Sequence, residues 1–160
     1  MSGIFSKSCE YAIQAMLYLA VQEEKHQILL KDISVALNIP YYFLSKVLQT
    51  LVRRGLVVSY KGSGGGFSLD RPSSEISLID IIRAVDGEEV FNRCILGFGG
   101  CDNQNPCPLH ESWKKATQDI LPALYNKTLR ELSQEMKHKL QFIEQRDLQK
   151  EQSYAQTQSA

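Results

Sequence analysis

The chain has 160 residues, 43% of them hydrophobic and 22% charged, and its 18 Lys and Arg balance 18 Asp and Glu to a formal net charge of zero. A chain of this length buries one moderate core, and this composition excludes an intrinsically disordered protein. The start, MSGIFSKSCEYA, lacks a basic region followed by a long apolar run, and no later stretch is long enough to span a bilayer, so the expectation is a soluble cytoplasmic protein with no membrane partner.

From Ser8 to Val21 the residues Ala12, Ala15, Met16, Leu19 and Ala20 form the i, i+3, i+4, i+7, i+8 stripe of a helix lying on a core. A polar break at Gln22 to Gln27 leads to Ile28, Leu29 and Leu30, then to a short second helix with Ile33, Ala36 and Leu37 that ends at Asn38. Pro40 opens a third helix, tolerated in a first turn where its missing N–H would have no partner. In that helix Leu44, Val47, Leu48, Leu51 and Val52 face inward, which leaves Tyr41, Tyr42, Ser45, Lys46, Gln49 and Arg53 outward, and Gly55 closes it. Helix, short helix, tight turn and third helix make a helix-turn-helix.

The next segment adds a wing. Leu56 to Tyr60 is β-branched and bounded by glycine, Phe67 to Leu69 alternates, and Lys61-Gly62-Ser63-Gly64-Gly65-Gly66 joins them into a hairpin with a flexible tip. The glycine run lacks the Gly-Lys-Ser/Thr ending of a phosphate-binding P-loop and leads into a strand, so a nucleotide site is disfavoured. Glycines such as Gly64 and Gly65 also allow close approach to a nucleic-acid backbone, with Lys61 at the base of the wing. The zero net charge hides a split here. Pro40 to Arg71 carries Lys46, Arg53, Arg54, Lys61 and Arg71 against Asp70 alone, while Glu75 to Glu111 carries seven acids against Arg83 and Arg93. The first stretch is suited to phosphate and the second is not.

Ser77 to Asp80 resembles a capping box, and Leu78, Ile81, Ile82 and Val85 complete a short amphipathic helix ended by Gly87. Next comes RCILGFGGCDNQNPCPLH, which places Cys94, Cys101, Cys107 and His110 within seventeen residues among glycines, asparagines and prolines that disfavour regular structure. Three thiolates and an imidazole are metal ligands suited to zinc or iron-sulfur. The x6 and x5 intervals contain no tight Cys-x2-4-Cys pair of the kind structural zinc sites use, so an iron-sulfur cluster is preferred, with zinc the alternative and unrelated thiols or a disulfide the third reading. Cys9 stands apart and reads as a small buried apolar residue. From His110 an apolar stripe runs through Trp113, Ala116, Ile120, Leu124, Leu129, Leu132, Met136, Leu140 and Ile143, longer than a winged-helix core can cover, which predicts a partner helix in a homodimer. Pro122 is expected to kink it, and the capping box Thr128-Leu-Arg-Glu131 predicts that one helix stops near Lys127 and another starts. The polar, Gln-rich end is expected to be a disordered tail.

In this order, helix-turn-helix, glycine wing, cysteine triad and long C-terminal helix, the chain resembles the IscR, NsrR and RirA group of bacterial regulators, the Rrf-two family. The resemblance runs from about Phe5 to Leu132. It is carried by LVVSYKGSGGGFSL, by ISLIDIIRAVDG, by the Cys94, Cys101, Cys107 loop, and by Trp113, Ala116, Ile120, Leu124 and Thr128-Leu129-x-Glu131-Leu132 in the dimerisation pattern. It implies a mainly α fold with a small β-hairpin wing. The implied organisation is a winged helix-turn-helix domain over 1–87, an iron-sulfur cluster-binding loop over 88–110, dimerisation helices over 111–143 and the tail over 144–160.

The function that the resemblance implies is that of a homodimer that binds palindromic promoter DNA and changes affinity with the state of its cluster, and not that of an enzyme. Tyr41, Tyr42, Ser45, Lys46 and Gln49 would then face the major groove, Arg53 and Arg54 phosphate, and Lys61 the minor groove. The best-known members space their cysteines x5 and x5, a departure of one residue that a loop absorbs easily. His110 matches the IscR-like arrangement, a 2Fe-2S cluster held by three cysteines and a histidine. Glu10 occupies the place where NsrR-like relatives offer a carboxylate from the second subunit to a 4Fe-4S cluster. A zinc-stabilised DNA-binding protein without redox response and a redox or electron-transfer protein are the other classes considered.

Overall fold

The structure, a computed structural model, describes residues 4–22 and 27–137. Helix α1 (Lys7–Val21) starts where the Ser6 hydroxyl accepts the Cys9 N–H at 3.1 Å, and it buries Ala12, Ala15, Met16 and Leu19 as the periodicity predicts. Helix α2 (Leu30–Leu37) ends at Asn38 in the left-handed region, φ 50°, a conformation that asparagine tolerates better than most residues. Helix α3 (Tyr41–Arg53) follows Pro40, which stands just before the helix in extended conformation instead of in its first turn, and Gly55 at φ 70° turns the chain away. Leu44, Val47, Leu48 and Leu51 are buried against α1, and Tyr41, Tyr42 and Phe43 remain more than half exposed.

Strands β1 (Val57–Tyr60) and β2 (Gly66–Leu69) pair antiparallel, Val57 opposite Leu69 and Tyr60 opposite Gly66. The wing is tied to the helical domain by an unforeseen element. Ile28, just before α2, exchanges both backbone hydrogen bonds with Phe67, at 2.9 and 2.8 Å. This pairing brings the Ile28 carbonyl so close to Gly66 that a Cβ there would lie 2.6 Å from it. Gly65 is similarly required, since its Cβ would meet the Tyr60 carbonyl oxygen at 2.5 Å.

Helix α4 (Leu78–Val85) carries the predicted capping box, with the Ser77 N–H donating to Asp80 Oδ2 at 2.9 Å, and Gly87 at φ 78° ends the turn beyond it. A single helical turn, Glu88–Phe91, precedes the cysteine loop. Helix α5 (His110–Asn126) continues through Pro122 and stops at Lys127. The Thr128 N–H then donates to the Glu131 carboxylate at 2.7 Å, and a further helix, α6, occupies 129–137, the limit of the described residues. Leu140, Ile143 and the expected tail over 144–160 lie outside them.

The single stripe read along this region therefore has two destinations inside the chain. Leu129 is fully buried in the main core, its N–H donating to the Ile76 carbonyl at 2.7 Å, with Leu132 and Met136 packed on the same core. Leu124 belongs to a second, smaller core with Cys9, Ile79, Ile82, Val90 and Phe91. Only Ala116 and Ile120 of the expected interface are exposed, Ile120 at 49%. An α-helix whose sides are both apolar covers its own domain with one and leaves the other for something else, which periodicity alone does not distinguish. Among the described residues no helix is long and apolar enough to cross a membrane.

The two wing glycines give a contrast. Gly66→Ala forces the new methyl into the Ile28 backbone and should lower stability by about 1–3 kcal/mol, as overpacking does. Gly64→Ala meets only the flexible Gln27 Nε2 at 3.7 Å, and should change stability by less than about 0.5 kcal/mol. Urea unfolding of both variants, read as midpoint shifts at constant slope, checks the pair.

Candidate metal centre and nucleic-acid surface

The cysteine loop is shaped by its own backbone and anchored at both ends. Before it, Val90 and Phe91 are buried in the second core, and Phe5 meets Phe91 edge-on at 6.0 Å. After it, half-buried Trp113 donates its indole N–H back to the Arg93 carbonyl at 3.0 Å, and Thr117 is buried. Between these anchors Gly97 and Gly100 take positive φ, 77° and 71°, and Asp102 Oδ1 accepts the N–H groups of Gln104 and Asn105, both at 2.8 Å. This side-chain turn is what the Asp-Asn-Gln-Asn run supplies, and the Asn105 and Gln104 N–H groups hold the Asp102 carboxyl below its usual range. The His110 N–H donates to the Cys107 carbonyl at 3.0 Å, so the last thiol leads directly into α5.

The result is convergence. The Sγ atoms of Cys94, Cys101 and Cys107 all lie within 4.8 Å of one another, Cys94 and Cys107 at 3.5 Å. His110 Nδ1 lies 3.3 Å from Cys101 Sγ, and its Nε2 lies 3.1 Å from Asn103 Oδ1. A cavity of about 270 Å³ adjoins the cluster, lined by these groups together with Phe91, Arg93, Trp113 and Lys114. Glu10 does not join within the chain: its carboxylate is paired with Lys7 Nζ at 2.7 Å. The donors fit a thiophilic metal or iron-sulfur centre, because three soft sulfurs share one point and an imidazole nitrogen stands beside one of them, Cys101.

The thiols are not equivalent. At Cys94 burial pushes the pKa up, but the Phe98 N–H, the Cys107 thiol, the Leu96 N–H and the Cys101 thiol together outweigh it and hold the group below its ordinary value. Cys101 accepts the Cys107 N–H, which favours its thiolate, yet desolvation and the two neighbouring thiols leave it above the ordinary value. Cys9 is fully buried, and desolvation first, then the charge of Asp86, pushes its thiol up to about 12, in line with its reading as a structural residue.

The second candidate surface is the exposed side of α3 with the wing. Lys46, Arg53, Arg54 and Lys61 are exposed, and among the described residues none pairs with a carboxylate. Arg71, counted in the same basic stretch, faces elsewhere and contacts Asp80 at 3.5 Å. Lys46 Nζ sits over the Tyr42 ring at 4.3 Å, Gln49 Nε2 donates to Ser45 Oγ at 3.3 Å, and Arg53 Nη2 donates to Thr50 Oγ1 at 3.0 Å. Neighbouring side chains on the helix thus hold these groups in a polar and aromatic array. Gly64 is exposed at the wing tip, while Gly65 has a sufficient internal reason for being glycine.

A winged helix-turn-helix with an unpaired basic face, followed by a thiol-rich loop, defines a DNA-binding transcription regulator with a candidate metal centre. The family model for Rrf2, described as "Iron-dependent Transcriptional regulator", matches residues 5–135, and the chain belongs to the Rrf2 family. It is similar to the HTH-type transcriptional regulator IscR of Klebsiella pneumoniae (strain 342), 36% identical over 122 residues that span 76% of this chain and 74% of that one. Among solved structures it is similar to T. potens IscR, with TM-score 0.64 and 26% identity over 83% of this chain and 88% of that one. It is also similar to CymR, the global cysteine regulator of B. subtilis, with TM-score 0.67 and 25% identity over 84% and 98%. The family and these relatives are transcription regulators and not enzymes.

Sequence reasoning did not single out Asn103, Lys114 or the indole of Trp113 as partners of the loop. Their roles depend on which face of α5 meets the loop, for which the residue types alone carry no signal. Thiolate, not thiol, is the alkylated species, so on the metal-free chain at mildly alkaline pH iodoacetamide should modify Cys94 ahead of Cys101. Cys9 should stay unmodified until the protein unfolds. Peptide mass mapping over a time course checks the order.

Proposed function

We propose that the chain is a homodimeric transcription regulator that senses iron-sulfur status, iron, nitric oxide or redox state through an iron-sulfur cluster held by Cys94, Cys101, Cys107 and His110. The observation that carries this reading is the convergence of three thiols in one loop before α5, with the His110 imidazole at the start of α5 beside Cys101. The x6 and x5 spacing without a tight cysteine pair points the same way. With histidine as fourth donor the 2Fe-2S form is favoured, and Glu10 of the second subunit is the donor of the 4Fe-4S alternative. The cluster, when bound, supplies a group whose charge and integrity respond to iron, oxidants and nitric oxide. The chain's own residues turn that into a change of shape. Val90 and Phe91 on one side and Trp113 and Thr117 on the other connect the loop to α4 and α5, so the order of the loop bears on the angle between them. In a dimer that angle sets the spacing of two α3 helices, a population shift between arrangements with different fit to a palindrome.

DNA reading follows from the exposed face. Tyr41, Tyr42, Ser45, Lys46 and Gln49 present hydrogen-bonding and aromatic groups toward the major groove. Arg53 and Arg54 lie at the phosphate-facing end of α3, and Lys61 with Gly64 and Gly65 forms the wing edge that approaches the minor groove.

Anaerobic purification should yield a coloured protein with iron and sulfide in equal amounts and the Mössbauer spectrum of a cluster. Replacement of Cys94, Cys101 or Cys107 by Ala should each abolish loading, because solvent is a poor substitute for a thiolate on soft iron. A colourless protein that holds zinc, or full iron and sulfide in any of the three variants, would remove the corresponding part of the reading.

The dimer is tested at Ile120 and not at Leu124. Ile120 is half exposed on α5, whereas Leu124 is part of the chain's own core. Ile120→Asp should therefore leave the fold intact and dissociate the dimer by placing an unpaired charge in the interface. Two tethered reading heads are then lost, and specific operator affinity should fall on the order of a hundredfold or more. Leu124→Asp should instead unfold the region. Sedimentation and operator titration on the same samples decide it, and an Ile120→Asp protein that stays dimeric would exclude this face as the interface.

A further inference from the structure

The Asn103 carboxamide lies between two nitrogen atoms. Its Oδ1 is 3.1 Å from His110 Nε2 and 3.4 Å from Lys114 Nζ. A lysine ammonium has donors and no acceptor, so the Asn103 atom that faces it is the carbonyl oxygen and not the amide nitrogen. That oxygen can only accept from the imidazole, so Nε2 carries the ring proton. In the neutral ring the lone pair then belongs to Nδ1, the nitrogen 3.3 Å from Cys101 Sγ.

Two separate elements place the three residues. Asn103 sits inside the turn closed by Asp102 Oδ1 on the Gln104 and Asn105 N–H groups. His110 and Lys114 are four residues apart on α5 and share one face of it. We infer that Asn103, held in orientation by Lys114, is a positioning residue that selects the Nε2–H tautomer of His110 and presents the Nδ1 lone pair to the thiol cluster as a preformed metal donor.

This rests on the reading of His110 as the fourth donor and adds which nitrogen binds and what fixes it. A metal-binding histidine whose second nitrogen is held by a hydrogen bond keeps its ring orientation and donates more strongly. The arrangement also explains an exposed asparagine and an exposed lysine that the main core does not need.

Nitrogen-15 and proton NMR of the imidazoles in the full-length, metal-free protein, in basic solution where the ring is neutral, reads the tautomer directly. His110 should appear as the Nε2–H form alone. Asn103→Leu removes the acceptor and should give a mixture of the two tautomers, and Asn103→Asp keeps an oxygen acceptor and should restore the single form. Cobalt(II), titrated into the same metal-free proteins by absorbance, should bind about 10–100-fold more weakly to Asn103→Leu. Binding to Asn103→Asp should stay within a few-fold of the parent. An Nδ1–H ring in the parent protein would overturn the inference. So would an unchanged tautomer and cobalt affinity in Asn103→Leu, or equal losses in the Leu and Asp variants. Failure of the underlying reading looks different: His110→Ala would leave the cobalt(II) spectrum unaltered while the tautomer spectra still reported the hold of Asn103 on the ring.

Discussion

Both ends of the thiol loop are fixed by one small apolar cluster, and the candidate metal centre depends on that constraint. Val90 and Phe91 enter the cluster just before Cys94, and Leu124 joins it two turns beyond Thr117 on α5, with Cys9, Ile79 and Ile82 completing it from α1 and α4. A loop rich in glycine and asparagine has little enthalpy of its own with which to offset the entropy of ordering. Tethering its two ends shortens the distance the chain must close, and the turn at Asp102 and the indole of Trp113 complete the ordering locally. Three sulfurs then share a volume that would be repulsive if all were thiolate; hydrogen bonds from the loop backbone and the neighbouring thiols hold Cys94 below its ordinary value, while desolvation and those thiols hold Cys101 above it. A cation or cluster relieves that conflict.

The basic face of α3 and the wing is organised differently. Its rigidity comes from the main core, on which α3 rests through Leu44, Leu48 and Leu51, and from the bridge between Ile28 and Phe67 that helps fasten the wing to the helices. The glycines of the wing answer to two different demands. Gly65 and Gly66 are dictated by backbone crowding within the chain, whereas Gly62 and Gly64 have room for a Cβ, Gly62 being held to glycine by its φ of 98°. The thiol loop and α3 meet through α4, whose residues line both cores: Ile81 and Ala84 on one side, Ile79 and Ile82 on the other. A change in the loop therefore has a short mechanical route to α1 and α3.

Much of this architecture was legible in the sequence. Helical periodicity placed α1 to α4 within a residue or two, the capping residues Ser77 and Thr128 marked true helix starts, and Gly55 and Gly87 marked the turns beyond their helices, because these signals are local and act through backbone hydrogen bonds and φ. That the loop gathers its thiols was also legible, and the structure brings Cys94, Cys101 and Cys107 together with His110 beside Cys101. By contrast, the stripe from Trp113 to Met136 read as one surface. Local pattern specifies that a helix is apolar on a side, not what covers it.

Tertiary structure decided the rest. It divided that stripe between two cores inside the chain and left Ala116 and Ile120 outside. It paired Arg71 with Asp80 and so withdrew one base from the unpaired basic face. It also set Asn103 between His110 and Lys114, a contact across seven and eleven residues that needs both a closed loop and the correct face of α5. The sequence by itself determined the elements and the chemistry of the donors, since both follow from residue type and short-range spacing. Which partners those groups found was decided only when distant segments packed, because burial and hydrogen-bond geometry are properties of the assembled chain and not of any stretch within it.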